Sequence, residues 1–222
     1  MTTLTMPRPR RDSGMEGMVA KWYAANTAEM MKEYVTLAHR IAAELPQGSQ
    51  VLEVAPGPGY FSIELAKLGN YAITGLDLSH TFVKLAMKKA AEAGVDVDFR
   101  QGSASSVPFP EGSFDFLLCR AAFKNFAQPV KALQEMCRVL KPGGRGLIID
   151  LRGDATPETI SREVDGMGLT WFNKMMTKLA FRTMLLKRAY TKGQFLQMLA
   201  QTKFSRVEVT ESGFGLEVSM TK

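Results

Sequence analysis

The stretch VLEVAPGPGYFSIELAKLG, residues 51–69, decides the fold because a strand, a glycine turn and a helix follow one another directly. Residues 51–54 are mostly apolar and predict a buried parallel strand. Gly57 and Gly59 let the chain reverse, and because neither carries a Cβ, a ligand can approach the backbone closely. Residues 61–68 then carry apolar side chains at largely helical spacing. Since the helix points its free N–H groups over the turn, the stretch predicts a ligand site there.

Strand and helix patterns alternate along the rest of the chain as far as residue 152, and Ser79 predicts the N-cap of a helix over residues 80–93. This alternation predicts an α/β fold with a mostly parallel sheet. The two closing runs SRVEVTES and GFGLEVSM, residues 205–220, alternate in polarity and predict a hairpin at one edge of the sheet. We therefore predict a three-layer, Rossmann-like sheet of about seven strands. It is expected to be mostly parallel, with a C-terminal antiparallel hairpin and an added helical lid.

Length and composition predict one domain with a full core. The chain has 222 residues, of which 45% are hydrophobic and 23% charged. We expect a flexible basic tail over residues 1–14 and a single domain over residues 15–222. Within that domain, residues 15–45 predict an N-terminal helical cap. The strand patterns stop at residue 153, so residues 153–190 predict the helical lid.

Charge and cysteine content indicate the setting of the protein. The net charge of +6 permits an anionic partner without requiring one. No apolar run approaches the roughly 18 residues that span a bilayer, and the basic N-terminus lacks the apolar segment of a secretory signal. Cys119 and Cys137 lie in apolar patterns and predict buried thiols, not a disulfide or a metal site. A reducing, cytoplasmic setting is therefore expected.

Two ligands compete for the glycine turn. A nicotinamide or flavin dinucleotide would need a third glycine three residues after Gly59, where Ser62 stands. None of the five tyrosines has a lysine four residues later, so the Tyr/Lys pair of short-chain dehydrogenases is missing. S-adenosylmethionine has no pyrophosphate and tolerates the lost glycine. Asp77, at the end of the second predicted strand, can hold ribose hydroxyls in either ligand and does not separate them.

Four sequence blocks occur in a specific order, namely LEVAPGPG, GLDLS, VPFPEGSFDFLLC and EMCRVLKPGG. In this order they resemble the class I S-adenosylmethionine-dependent methyltransferases, most closely the small-molecule enzymes akin to the ubiquinone/menaquinone C-methyltransferases. The resemblance is strong over residues 48–151 or so, and the closing hairpin fits the family's seventh strand. It implies S-adenosylmethionine as cofactor and S-adenosylhomocysteine as product. The implied reaction is in-line methyl transfer to a small, apolar or aromatic acceptor.

The resemblance also implies a role for each matching residue. Glu53 would hold the amino group of the cofactor, and Asp77 would accept both ribose hydroxyls. The other implied contacts are Ala55, Gly57 and Gly59 against the methionine and ribose, Leu78, Ser103 and Ala104 around the adenine, and Arg120 beside the methionine moiety. Many relatives carry Asp in place of Ser103, so the bond to the adenine amino group stays open.

The catalytic candidates are Tyr23, Lys124 and Asn125. Lys124 and Asn125 stand where many small-molecule relatives have a His pair. They can polarise an anionic or carbonyl-bearing acceptor, or they can be a solvated lysine and a turn asparagine. Tyr23 can place its phenol over the methyl group, or it can simply pack on Trp22. Neither His39 nor His80 is a good candidate for a base.

Two further functions are weaker hypotheses. CRAAFKNF, residues 119–126, replaces the Asn/Asp-Pro-Pro-aromatic block of enzymes that methylate base amines. Leu118 precedes Cys119, so the Pro-Cys nucleophile of cytosine-C5 enzymes is also missing. Nucleic acid is therefore not the favoured acceptor. A protein of this fold that senses the cofactor, or that catalyses a reaction other than methylation, stays the second hypothesis.

The predicted lid combines an apolar side with a basic one. Its apolar residues predict an adaptable wall for the acceptor or plain helix packing, and they are Met167, Leu169, Trp171, Phe172, Met175, Met176, Leu179, Phe181 and Met184. Lys174, Lys178 and Arg182 recur every four residues and predict a basic stripe. This stripe is either an ordinary solvated face or a weak contact with anionic membrane lipids.

Overall fold

The computed structural model of the chain describes residues 14–27, 30–166, 171–180 and 186–222. The strands and helices alternate as the sequence predicts. The strands are β1 (Gln50–Val54), β2 (Ala72–Asp77), β3 (Asp98–Gln101), β4 (Phe114–Arg120), β5 (Leu140–Leu151), β6 (Arg206–Ser212) and β7 (Gly215–Thr221). The helices are α1 (Gly17–Thr27), α2 (Met31–Ala42), α3 (Tyr60–Ala66), α4 (His80–Ala93), α5 (Pro129–Val139), α6 (Pro157–Gly166), α7 (Trp171–Ala180) and α8 (Lys192–Leu199).

A single sheet of seven strands runs in the order β3-β2-β1-β4-β5-β7-β6. The first five strands in this order are parallel, and β7 pairs antiparallel with both β5 and β6. The predicted C-terminal hairpin is therefore confirmed, and so is its place at the edge of a mostly parallel sheet. Because the strand order reverses between β1 and β4, the carboxyl ends of these two strands flank the crevice where open α/β sheets bind ligands.

Helices cover both faces of the sheet, which explains why β1 is so apolar. Successive side chains of a strand point to opposite faces. Val51 therefore joins the core cluster formed with α2 and α3, whereas Leu52 and Val54 join the cluster formed with α5 and α8. Glu53 points to the same face as Val51, which places its carboxylate under the start of α3.

The two N-terminal helices, α1 and α2, pack against different parts of the fold. In α2, Leu37, Ala38 and Ile41 are buried in the core cluster on the sheet. Helix α1 instead contacts α4 and the start of α3. Of the predicted cap over residues 15–45, α1 thus lies at the carboxyl edge, while α2 is part of the helical layer. Residues 1–13 of the predicted basic tail lie outside the described residues.

Helices α6 and α7 occupy the predicted lid. Ile160 and Val164 of α6 are buried against Leu151 and Phe214, so α6 is anchored on the end of the sheet. In α7, Trp171 and Leu179 are 77% and 53% exposed. Outside the described residues lie Met167, Leu169, Phe181, Arg182, Met184 and the side chain of Phe172. The role of residues 153–190 as a lid stays a prediction.

Two sequence expectations about single residues are also confirmed. Ser79 caps α4, because its hydroxyl accepts a hydrogen bond from the N–H of Phe82 at 3.0 Å. Cys119 and Cys137 are buried free thiols. No helix of the described ranges is both long and apolar enough to cross a membrane.

Replacing Gly59 with alanine should destabilise the fold more than the same change at Gly94. Both glycines have a positive φ, +78° and +67°, so each change strains the backbone by about 1–2 kcal/mol. At Gly59 an added Cβ would also lie 2.6 Å from Cζ of the buried Phe99 ring, which adds overpacking of about 1–3 kcal/mol. Gly94 has open space around it and serves as the matched control. Urea unfolding measures both costs, and equal costs would contradict the close packing of the turn.

Candidate active site

Two alanines with left-handed backbone conformations mark the carboxyl edge of the sheet. Ala55 follows β1 with φ +57°, and Ala121 follows β4 with φ +56°. Such conformations cost an L-residue about 1–2 kcal/mol and concentrate at functional sites. The Ala55 N–H donates to the carbonyl of Leu76 at 2.8 Å, and the Ala121 N–H donates to that of Ile149 at 2.7 Å. Each sharp turn is thus tied to the neighbouring strand.

Glu53 is a buried carboxylate whose hydrogen-bond partners carry no charge. Its side chain accepts hydrogen bonds from the backbone N–H of Ser62, at 3.1 Å, and from the Ser62 hydroxyl. The residue is only 2% exposed, and this desolvation raises its pKa to about 7, although the bonds from Ser62 and the nearby charge of Arg120 oppose the rise. A positively charged group beside Glu53 would stabilise its ionised form.

Asp77 is the second buried carboxylate at this edge. One oxygen accepts the N–H of Gly57 at 2.9 Å, and the other accepts the N–H of Ser79 at 2.8 Å. Asp77 therefore joins the glycine turn to the start of α4. Burial raises the pKa of Asp77, while these backbone hydrogen bonds oppose the rise.

The glycine turn leaves space where the sequence predicts a ligand. Gly57 has φ +55°, and a Cβ added to it would meet no atom within 4 Å. Gly59 instead caps α3 and packs closely on Phe99. Of the two glycines, Gly57 thus borders open space beside Asp77, and Gly59 serves the packing of the turn.

The predicted adenine contacts lie at the ends of β2 and β3, and all three are partly buried. The Leu78 carbonyl accepts from the side-chain amide of Gln101 at 3.1 Å. The Ser103 hydroxyl accepts the N–H of Ser105 at 3.2 Å, and Ala104 packs against the core. Ser103 therefore shapes its own loop, and its bond to an adenine amino group stays a prediction.

Arg120 ends β4 with its guanidinium engaged. It pairs with Glu33 of α2 and lies over the ring of Tyr34, 4.3 Å from the ring centroid. Only 13% of its side chain is exposed, so it is not a simple surface salt bridge. Burial raises the pKa of Tyr34 to about 12, although Arg120 acts against that rise.

Lys124 and Asp150 form a buried ion pair between the ends of β4 and β5. The Lys124 ammonium donates to Asp150 at 2.8 Å and to the carbonyl of Ala121, and its side chain is only 9% exposed. The backbone N–H of Lys124 donates to the other Asp150 oxygen at 2.9 Å. The reading of Lys124 as a solvated lysine is therefore wrong. Asn125, the other residue of the candidate pair, is exposed on a short 3₁₀ turn.

Tyr23 faces this edge from α1. Its ring packs edge-on against Phe82, with the centroids 5.9 Å apart. Burial raises the pKa of the phenol, the nearby Arg120 lowers it, and Asp150 and Asp77 add to the rise. Charged groups on β2, β4 and β5 thus all influence the Tyr23 hydroxyl. Because the net effect raises its pKa, this hydroxyl stays protonated near neutral pH.

These residues fit the predicted cofactor. The cationic amino group of S-adenosylmethionine would be the charge partner that Glu53 lacks among its hydrogen-bond partners. The ribose hydroxyls would lie at Asp77, whose oxygens each retain a lone pair, and the open space at Gly57 suits a group lying on the backbone. The described residues include no group of three or more potential metal ligands.

Some site residues were missed because their partners are distant in the sequence. In the sequence, Ser62 indicates only that the third glycine of a dinucleotide motif is missing, yet its N–H and hydroxyl donate to Glu53. Asp150 ends the apolar run of β5, and an acid in that position was a usable signal. Glu33 and Tyr34 belong to a helix whose pattern indicates only packing.

Of the expected basic stripe, the two described residues on α7, Lys174 and Lys178, face α6. Lys178 pairs with Asp165 at 2.9 Å and donates to the Ser161 hydroxyl at 2.7 Å. Lys174 donates to the Asp165 carbonyl at 3.0 Å. Contact with an anionic membrane stays a prediction, and these two lysines already have partners within the chain.

Because the pKa of Glu53 is raised, replacing this residue should have opposite effects on the stability of the protein and on cofactor binding. The pKa of Glu53 is about 7 in the folded state and 4.5 in the unfolded chain. Between these pH values the folded state therefore binds more protons than the unfolded state. The stability of the fold consequently falls as the pH rises from about 4.5 to 7. Glu53→Gln should therefore stabilise the ligand-free protein at pH 8 by about 1–3 kcal/mol. The same change should weaken binding of S-adenosylhomocysteine, because the carboxylate facing its amino group is lost.

Thermal unfolding and calorimetry at pH 5 and pH 8 measure the two effects. The stabilisation should be small at pH 5, where Glu53 is already protonated. Lower stability of the variant at pH 8 would contradict the account of Glu53 as a desolvated carboxylate.

Comparison with known proteins shows what part of this chain is similar to. Residues 52–148 match the family model described as a methyltransferase domain. The chain is 38% identical over 104 residues to the ubiquinone/menaquinone biosynthesis C-methyltransferase UbiE of Bdellovibrio bacteriovorus. It is 39% identical over 102 residues to the demethylmenaquinone methyltransferase of Deinococcus radiodurans. Both matches span 46% of this chain, and they cover 44% and 42% of the relatives, which is less than half of each.

The fold agrees with solved structures of the same class. The S-adenosylmethionine-dependent methyltransferase from Aquifex aeolicus superimposes with a TM-score of 0.64 at 21% identity, over 83% of this chain and 88% of that one. The predicted Rossmann-like fold and the predicted cofactor class, S-adenosylmethionine, are thereby confirmed. Residues 52–148 are thus similar to a methyltransferase domain, including that of the ubiquinone/menaquinone enzymes, and the chain has the fold of solved S-adenosylmethionine-dependent methyltransferases.

Proposed function

We propose that the chain transfers the methyl group of S-adenosylmethionine to a small aromatic or apolar molecule. The observation that carries this proposal is the convergence of charged groups on four neighbouring strand ends. Glu53 and Asp77 suit the cofactor, and Lys124, on the turn that follows β4, pairs with Asp150 near the end of β5. Ligands of open α/β sheets bind at this edge.

The chemistry needs little from the protein beyond alignment. S-adenosylmethionine supplies a methyl group activated by a sulfonium, whose departure requires no proton. The protein then has to hold the acceptor in line and exclude water. Helix α1 contributes to this exclusion, because it carries Tyr23 to the carboxyl edge.

The groups around the acceptor position serve as donors and not as bases. Tyr23 keeps its proton near neutral pH, and the Lys124 ammonium is held by Asp150 and the carbonyl of Ala121. His39 and His80 are both exposed. We infer an acceptor that arrives ionised, or that reacts at an electron-rich carbon beside an oxygen. Lys124 would stabilise the charge on that oxygen.

Two observations favour an aromatic acceptor of the quinone-precursor type. The relatives from Bdellovibrio and Deinococcus carry names that refer to ubiquinone or menaquinone. In this chain, α7 exposes Trp171, Met175 and Met176, of which the methionines are 45% and 46% exposed. An exposed apolar side on the predicted lid provides an adaptable wall for a flat ring.

Replacing the buried ion pair with apolar residues tests its role in turnover. Removing Lys124 alone would leave Asp150 as an uncompensated buried charge, whereas exchanging both residues for apolar ones of similar size is often neutral for stability. The double variant Lys124→Met with Asp150→Leu should bind S-adenosylhomocysteine within about twofold of wild type. Its kcat/KM for a hydroxylated naphthoquinone or phenol should fall by about 10²-fold, the cost of one lost electrostatic donor. Transfer of a labelled methyl group measures this.

The matched control uses the same two strands. Lys141 and Asp115 pair at 2.8 Å at the amino ends of β5 and β4. The double variant Lys141→Met with Asp115→Leu should retain full activity. An active Lys124/Asp150 variant would contradict the assigned role. Cofactor binding with no methyl transfer to any phenol, amine, thiol or quinone precursor would instead favour the non-methylating hypothesis.

A further inference from the structure

The N-terminal end of α1 is tied to the first turn of α4. The Glu16 carboxylate accepts the N–H of His80 at 2.9 Å, the N–H of Thr81 at 3.0 Å and the Thr81 hydroxyl. The Ser79 hydroxyl donates to the carbonyl of Met15. Residues 15 and 16 thus satisfy donors at a helix N-terminus that follows Asp77 by only three residues.

The other half of α1 is tied to the start of α3. The buried hydroxyl of Tyr60 donates to the carbonyl of Ala24 at 2.8 Å. Tyr60 is the first residue of α3 and follows Gly59 directly. Between the two ties, Tyr23 packs on Phe82 of α4. Helix α1 therefore bridges the two helix starts that flank the proposed cofactor position, namely those after the glycine turn and after Asp77.

Apolar burial contributes little to holding α1 in this place. Ala20 and Ala24 are its buried small residues, whereas Met18, Val19 and Trp22 are 86%, 61% and 68% exposed. A segment that buries little apolar surface opens locally at low cost. The hydrogen bonds at the two ends therefore carry a large share of the stability of the closed arrangement.

We propose that Glu16 and Tyr60 are positioning residues that latch α1 over the cofactor, so that both latches must open for the cofactor to enter and for S-adenosylhomocysteine to leave. The inference deepens the proposed function and rests on the cofactor position assigned there. The latches belong to the protein itself, so their effect on α1 is measurable without any ligand. Neither residue touches the reacting groups in this account. They act by holding Tyr23 and the backbone of α1 in place.

Two conservative variants open one latch each. Glu16→Gln replaces one of the two acceptor oxygens with an NH2 donor, so the His80 and Thr81 N–H groups no longer each have an oxygen of their own. Tyr60→Phe keeps the ring and removes the hydroxyl. Hydrogen–deuterium exchange of peptides covering residues 17–27 should be about threefold to tenfold faster in each variant of the ligand-free protein. The dissociation rate of S-adenosylhomocysteine, measured by stopped flow, should rise by a similar factor.

Matched control variants distinguish the loss of a latch from a general loss of stability. Glu92→Gln changes an exposed carboxylate at the far end of α4, and Tyr71→Phe removes a phenol hydroxyl at the amino end of β2. These variants should change neither rate. Unchanged exchange over residues 17–27 in both latch variants would overturn the proposal, and so would equal acceleration in the controls. If wild type binds no S-adenosylhomocysteine, the proposed function fails, while the exchange data still decide whether the latches hold α1.

Discussion

Two carboxylates buried at the ends of neighbouring parallel strands set the main constraint on this structure. Burial of Glu53 and Asp77 disfavours their ionised forms, so each needs hydrogen-bond donors delivered by the backbone around it. Ser62 at the start of α3 supplies them to Glu53, and Gly57 and Ser79 supply them to Asp77. The glycine turn and the starts of α3 and α4 are arranged around these two groups.

The arrangement that suits ligand binding at this edge also lowers the stability of the ligand-free fold. A desolvated Glu53 with a pKa of about 7 destabilises the ligand-free fold at neutral and higher pH, and the left-handed Ala55 and Ala121 add backbone strain nearby. Proteins commonly store such costs at sites that a ligand later completes. A cationic ligand beside Glu53 would relieve the largest of these costs, which explains why the carboxylate lies so deep.

Local sequence patterns predict most of the fold but few of the contacts between residues that are far apart in the sequence. The strand–turn–helix at residues 51–69, the Ser79 cap and the closing hairpin follow from short-range chemistry, and the structure confirms them. The sequence does not indicate that Lys124 is buried, because its partner lies 26 residues away and is brought near only by the pairing of β4 with β5. The role of Glu16 could not be predicted, since its donors on α4 lie 64 and 65 residues further along the chain.

Calorimetric titration of S-adenosylhomocysteine tests the central claim, a cofactor site built on Asp77, most directly. Wild type should show saturable one-to-one binding at pH 8. Asp77→Ala, checked for retained fold by circular dichroism, should weaken binding about tenfold to a hundredfold, as expected for the loss of charged hydrogen bonds of about 1.5–3 kcal/mol. Absence of binding to well-folded wild type, or equal affinity of wild type and Asp77→Ala, would contradict it.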